Sequence, residues 1–462
     1  MKYDDFIDSK KISAASSGFS VDIDDINLML FDWQKVLVRW AIGKGRCAIF
    51  ADCGLGKTPI QLVWADLVYK HTDRDVLILA PLAVSKQTQR EGVKFGIPVT
   101  VCKSQADVRP GINITNYERL HLFDPSKFVG VVPDESGIMK NFTGKIRNQL
   151  IDMFRTTPYK LCCTATPSPN DWPELGSHCE FLGIMTRSEM LSMFFINDTS
   201  DTGKWRLKGH VKDNKFWQWV CSWSVMIRKP SDLGYDDGDF ILPPLNITEH
   251  KVKYEGLPER GYLLPGNAKT MNERRIARKE SIDSRITMAS DLINKTDETW
   301  LVWCNLNAES KKMTAAVNGA VEVTGSDSQE HKEKAMLDFA ENKIRRLVSK
   351  PKIAGFGMNW QNCHNMAFVG LSDSYEQLYQ AIRRCWRFGQ ERPVNVHIII
   401  GEREGAVLEN IKRKEREMTE MFDGMVKHMS DIMKSEIRKT QRRNTDYNPT
   451  MEMVLPNFLE AL

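Results

Sequence analysis

Two series of short apolar runs, each run separated from the next by a helix-length segment, constrain this chain more than any other feature. The first series is CAIF (Cys47 to Phe50), VLILA (Val76 to Ala80), a segment near INIT (Ile112 to Thr115), VGVVP (Val129 to Pro133) and YKLCCTA (Tyr159 to Ala165). The second is WLVWC (Trp300 to Cys304), AVEVT (Ala320 to Thr324), RRLVS (Arg345 to Ser349), NMAFVG (Asn365 to Gly370) and VNVHIII (Val394 to Ile400). A strand that is apolar on both faces must be covered on both faces, which is the condition of a parallel sheet between layers of helices. The expected fold class is therefore α/β, with two parallel-sheet lobes.

Between the two series the alternation breaks down. FWQWVCSW sets Trp217, Trp219 and Trp223 at mixed spacing, which reads as the core of a small helical insertion in preference to a base-stacking platform. The expected division is 1–27 N-terminal extension, 28–172 first lobe, 173–287 Trp-rich helical insertion and linker, 288–404 second lobe, and 405–462 charged helical tail. In the tail, Val407, Leu408, Ile411, Met418, Met421, Phe422 and Met425 recur at helical spacing and predict a solvated helix packed on the second lobe.

Composition adds bounds. A chain of 462 residues calls for two or three domains of about 100–200 residues each. Hydrophobic content of 42% beside 27% charged residues is that of a folded chain, and no apolar run approaches the ~18 residues that span a bilayer. The opening MKYDDFIDSKK carries three Asp and three Lys and has no apolar core, so no signal peptide is expected. Ten cysteines with no C-x-x-C spacing read as reduced, buried thiols and not as a zinc site. A cytoplasmic protein without membrane contact follows. The net charge of +4 is too small to name a polyanionic partner, so clusters such as Arg345-Arg346, Arg383-Arg384 and Lys412-Arg413-Lys414 matter more.

The chemistry begins in FADCGLGKTPIQL (Phe50 to Leu62), where a glycine loop follows a predicted strand, Arg46 to Phe50, and precedes a predicted helix, Pro59 to Leu67. That context suits a phosphate loop: backbone N–H groups from Gly54 to Thr58 cradle phosphates, Lys57 neutralises their charge, and Thr58 ligates Mg²⁺. VVPDES then ends a strand in two carboxylates, Asp134 to hold the Mg²⁺ and Glu135 to orient and deprotonate an attacking water. Far downstream, Arg384 and Arg387 stand three apart, a spacing that puts both guanidinium groups on one helical face, able to reach a γ-phosphate held by the opposite lobe.

With ADCGLGKT, VVPDES and CCTATPSPN in that order, the chain resembles the superfamily-two helicases and translocases, whose phosphate loop commonly begins with Ala, as Ala51 does here. QAIRRCWRFGQ (Gln380 to Gln390) resembles the arginine-bearing motif of the Swi/Snf-like branch. The resemblance runs from about Leu28 to Glu409 and is nearest to compact members encoded by bacteriophages. It implies two RecA-like lobes with an ATP cleft between them, and ATP with Mg²⁺ as cofactors. It assigns Gln34, in LFDWQ, to adenine, and Asp52, Gly54, Leu55, Gly56, Gly357 and Gln380 to the nucleotide. It gives Ser85, Lys86 and Asn116 on the first lobe, and Lys352, Asn359 and Trp360 on the second, to nucleic acid. Thr164 and Thr166 of the TAT motif are also given to nucleic acid and would couple hydrolysis to movement. In KPKIAGFGMNWQN, Ala354 replaces a glycine of many relatives.

The function implied is that of a DNA-dependent ATPase or helicase that moves along double-stranded DNA without sequence preference, tracking being favoured over strand separation. A monomer is expected, working in the cytoplasm (the host's, for a phage-encoded chain), with any protein partner bound through the insertion or the tail. RNA as the track, and a non-catalytic nucleic-acid clamp, are the alternatives.

Overall fold

The structure, a computed structural model, describes residues 14–81, 84–197, 205–209, 215–253, 271–354 and 359–441. In chain order the first lobe forms β1 (Arg46–Ala51), β2 (Val76–Ala80), β3 (Val99–Val101), β4 (Ile112–Asn116), β5 (Gly130–Pro133) and β6 (Tyr159–Cys163). A small antiparallel pair follows, β7 (Phe195–Asn197) with β8 (Trp205–Leu207), and then β9 (Ser224–Ile227). The second lobe holds β10 (Leu245–Val252), β11 (Trp300–Cys304), β12 (Ala320–Val323), β13 (Arg346–Ser349), β14 (Asn365–Val369) and β15 (Val394–Gly401).

Among the described residues the first sheet has the order β3-β4-β2-β5-β6-β1-β9 and the second β10-β15-β14-β11-β13-β12. Every pairing in both sheets is parallel. The apolar runs read from the sequence are these strands, and all but the half-buried edge strand β12 are buried along almost their whole length because helices cover both faces. The α/β expectation with two parallel sheets holds.

The segment 173–287, expected as an insertion and linker, instead supplies an edge strand to each sheet: β9 pairs with β1, and β10 pairs with β15 over eight residues. Both lie at sheet edges, where half of the hydrogen-bonding capacity faces outward and the apolar signal weakens; β10 is mostly exposed. Trp217, Trp219 and Trp223 are buried, with Trp219 and Trp223 packed edge to face at 5.7 Å, so they form core and no stacking platform.

The tail is a helix, Gly405–Gln441, but it leaves the second lobe and docks on the first, which corrects the expected packing. Trp172 Nε1 donates to the Glu417 carbonyl at 3.2 Å, Arg228 pairs with Asp423 at 2.9 Å, and Cys221 Sγ reaches the Met425 carbonyl at 3.4 Å. Its apolar stripe covers the short helix Lys215–Cys221, because that helix offers a matching apolar surface within reach. Among the described residues no helix is long and apolar enough to cross a membrane.

Candidate active site between the lobes

In the first sheet β6 lies between β1 and β5, so the C-terminal ends of these three strands present neighbouring loops at one edge. The loop after β1 is the glycine loop; the end of β5 carries Asp134 and Glu135; the end of β6 carries Thr164. This is where ligands of open α/β sheets bind.

The glycine loop leads into the helix Lys57–Thr72, longer at both ends than the predicted one. Gly56 has φ 71°, and a Cβ there would lie 2.5 Å from Gln34 Nε2. No L side chain fits that position comfortably, so the loop keeps its backbone N–H groups open to an anion. Gln34 buttresses the loop: its Nε2 donates to the Leu55 carbonyl at 3.1 Å and its Oε1 accepts the Phe31 N–H at 3.1 Å. Lys57 Nζ reaches back to the Ala51 carbonyl at 3.0 Å. Burial works against the Lys57 charge, but Cys53, Glu135, Asp134 and Asp52 outweigh it and hold the ammonium above its ordinary range. Thr58 follows in the first helical turn.

Asp134 extends the sheet by one bridge to Cys163, and its carboxylate accepts from Gln61 Nε2 at 2.6 Å. Burial, and then the Glu135 charge, push Asp134 up to about 6. Glu135 has a left-handed backbone, φ 50° and ψ 49°, which turns its side chain out of the sheet line toward Thr164 Oγ1 at 3.4 Å. A non-glycine residue held there is the kind of backbone strain that clusters at functional sites.

The arginine segment of the second lobe lies directly on the glycine loop. A Cβ on Gly54 would meet Phe388 N at 3.1 Å and Arg387 Cβ at 3.6 Å. The helix Tyr375–Ile382 ends before the arginines, so Arg384 and Arg387 occupy a turn and not the helical face expected from their spacing. Gln390 enforces that turn, its Nε2 donating to the carbonyls of Gln361, Cys363 and Cys385 at 2.9–3.2 Å. Burial lowers Arg384, against the pull of Cys53 and Glu135. Burial, then the neighbouring Arg384 charge, lower Arg387 to about 10, and its buried Nε has no hydrogen-bond acceptor among the described residues. Two desolvated cations beside an open anion loop fit a polyphosphate.

Residues 284–389 match the helicase conserved C-terminal domain. Within the chain, 94 residues are 34% identical to the bifunctional helicase and thymine dioxygenase JBP2 of Leishmania braziliensis, and 34% identical to the same protein of Leishmania infantum. The aligned segment is 20% of this chain and spans only 9% of the length of these curated relatives. The Sulfolobus solfataricus SWI2/SNF2 ATPase core, solved in complex with dsDNA, aligns with a TM-score of 0.42 and 18% identity over 91% of this chain and 98% of that one.

The two lobes enclose a cleft of about 660 Å³, to which Lys86, Glu135, Lys140, Lys332, Lys352 and Gln380 contribute. Lys86 reaches across it to Glu333 at 3.1 Å, and Lys140 pairs with Glu376. Of the residues expected to meet nucleic acid, Lys86 and Lys352 line this cleft. The others are occupied elsewhere. Trp360 is fully buried against Phe339 and Trp303, a core residue and no base contact. Asn116 caps the turn at Arg119, Asn359 accepts from Arg387, and Ser85 is buried at the start of the helix Ser85–Lys94. Thr164 and Thr166 are buried too, with Thr166 Oγ1 donating to Glu376 across the lobe boundary at 3.3 Å. Gln380, expected at the nucleotide, faces the cleft, and Gly357 lies outside the described residues. Asp52, also expected at the nucleotide, is taken by Arg383 at 2.9 Å. Sequence reading passed over Arg383, and its place in RR gave the only signal.

Proposed function

We propose that this chain is a superfamily-two, Swi/Snf-like motor that hydrolyses ATP between its lobes and moves along double-stranded DNA without sequence preference. The observation that carries the reading is that the buried arginine segment of the opposite lobe lies against the glycine loop, with the Asp134-Glu135 pair close enough to act on Lys57 and Glu135 on Arg384. In this reading the backbone of Gly54 to Thr58 and Lys57 would hold the phosphates, and Thr58 with Asp134 would hold Mg²⁺, which would neutralise the phosphate oxygens. Glu135 orients the attacking water and takes its proton. Arg384 and Arg387 supply positive charge where negative charge develops on the leaving phosphates, so hydrolysis depends on how closely the lobes approach. The cleft beside Glu135 is the track, where Lys332 and Lys352, standing among cations and carboxylates of both lobes, bind phosphate without reading bases. The match over 284–389 supports the helicase part of this reading.

The test is the ATPase rate of the purified chain with duplex DNA, single-stranded DNA and RNA, paired with a triplex-displacement assay for tracking. Stimulation by duplex DNA with triplex release is expected. Stimulation by RNA alone would replace the substrate, and no hydrolysis with any nucleic acid would remove the motor. Glu135→Gln should retain ATP binding, read by a fluorescent nucleotide, while turnover falls by at least about a hundredfold.

A further inference from the structure

A carboxylate inside a phosphate loop repels the ligand that the loop is built to hold, so Asp52 needs another reason to be there. The structure supplies one. Asp52 is 7% exposed, and its Oδ2 lies 2.9 Å from Arg383 Nη2 of the other lobe. Arg383, 4% exposed, also donates to the Cys53 carbonyl. Tyr379, one helical turn before Arg383, donates its hydroxyl to Asp52 Oδ1, which in addition accepts the Cys53 N–H at 2.7 Å. The Arg383 guanidinium is further held over the Trp386 ring at 5.0 Å. Burial opposes the Arg383 charge, and Asp52, Tyr379 and Cys53 together outweigh it, so the guanidinium stays ionised in a place where water is excluded.

We propose that Asp52, Tyr379 and Arg383 form an interlobe clasp that fixes how the second lobe docks on the phosphate loop and thereby positions Arg384 and Arg387. The proposal rests on the ATPase reading above. The three are positioning residues. Arg384 follows Arg383 directly, and the turn to Arg387 is pinned by Gln390, so a shift of the clasp is carried without loss to both arginines. The clasp also explains why three arginines stand in RRCWR: one grips the loop, and the other two face the phosphates.

The experiment is steady-state ATP hydrolysis by the full chain with Asp52→Asn, Arg383→Met, Arg383→Lys and Tyr379→Phe, and with Asp52→Asn and Arg383→Met combined. A misplacement of about 1 Å at a reacting group costs up to about a hundredfold in rate, so kcat should fall by roughly ten- to a hundredfold in Arg383→Met with little change in KM for ATP. Arg383→Lys should recover part of the loss, Tyr379→Phe should show the mildest effect, and the combined variant should be no slower than the worse single one. Effects that multiply, or a rise in KM at constant kcat, would overturn the clasp, the latter by placing these residues on the nucleotide itself. A second readout needs no hydrolysis: fluorophores at Lys70 and Lys343, exposed on opposite lobes at 68% and 64%, report interlobe distance by energy transfer. Arg383→Met should widen that distance distribution in nucleotide-free protein. An unchanged distribution would sink the clasp even in an active motor, whereas a widened one in a chain that never hydrolyses ATP would sink the ATPase reading and leave the clasp standing.

Discussion

His178 shows how a single residue next to the carboxylate pair makes the first lobe sensitive to acid. It is fully buried, packed edge to face on Phe50, and its Nε2 lies 3.0 Å from the hydroxyl of Ser136, the residue after Glu135. Burial depresses it from 6.5 to about 3, so the folded chain refuses a proton that the unfolded chain accepts between those values. Its contribution is intact above 6.5 and is lost as pH falls below 6.5, amounting to roughly 1.5–2 kcal/mol by about pH 5. Thermal unfolding of the chain and of His178→Gln, compared over that range, should show the steeper acid loss in the native sequence; parallel curves would mean that His178 is not buried neutral. DES itself was legible as a carboxylate pair at a strand end, since apolar residues ending in acids carry that meaning locally. Its support by His178, forty-two residues on, was not, because only the fold brings the two together.

The C-terminal helix Gly405–Gln441 is the element that most changes meaning between sequence and structure. Its apolar spacing announces a helix with one buried stripe, and periodicity carries no information about which surface the stripe will cover. The close fit is at Gly424, where a Cβ would sit 2.8–3.0 Å from three atoms of the Trp217 indole. Gly424→Val therefore overpacks the contact and should cost about 1–3 kcal/mol in chemical denaturation, with Trp fluorescence following the loss. A neutral substitution would show that the helix does not dock on Trp217 in solution. The arginine segment teaches the same lesson in reverse. A spacing of three suggested a helical face, but Gln390 and the Trp360 N–H, which bonds the Arg384 carbonyl at 2.9 Å, draw the chain into a turn. The Gln390 side chain and the backbone of the neighbouring loop decide that, and no local propensity encodes it.

At the scale of the whole molecule, Glu135 lines the cleft between the lobes and its charge also acts on Lys57 of the glycine loop. Lys332 and Lys352 reach this cleft from the second lobe. If duplex DNA lies there, Lys332→Ala and Lys352→Ala should each lower the slope of log affinity against log salt by about 0.9, or about 0.7 for a single strand, with equal weakening across DNA sequences. Unaltered slopes would move the track elsewhere. The sequence by itself determined the ten principal strands, the loop with Lys57 and Thr58, the Asp134-Glu135 pair and the existence of an arginine cluster. Each is written in a contiguous stretch whose apolar run, glycine spacing or charge is set by its own backbone. Only the tertiary structure decided which arginine grips the loop, which tryptophans are core, where the edge strands β9 and β10 pair, and which lobe receives the final helix. Those outcomes depend on contacts between residues far apart in the chain, whose joint burial and pairing no local pattern records.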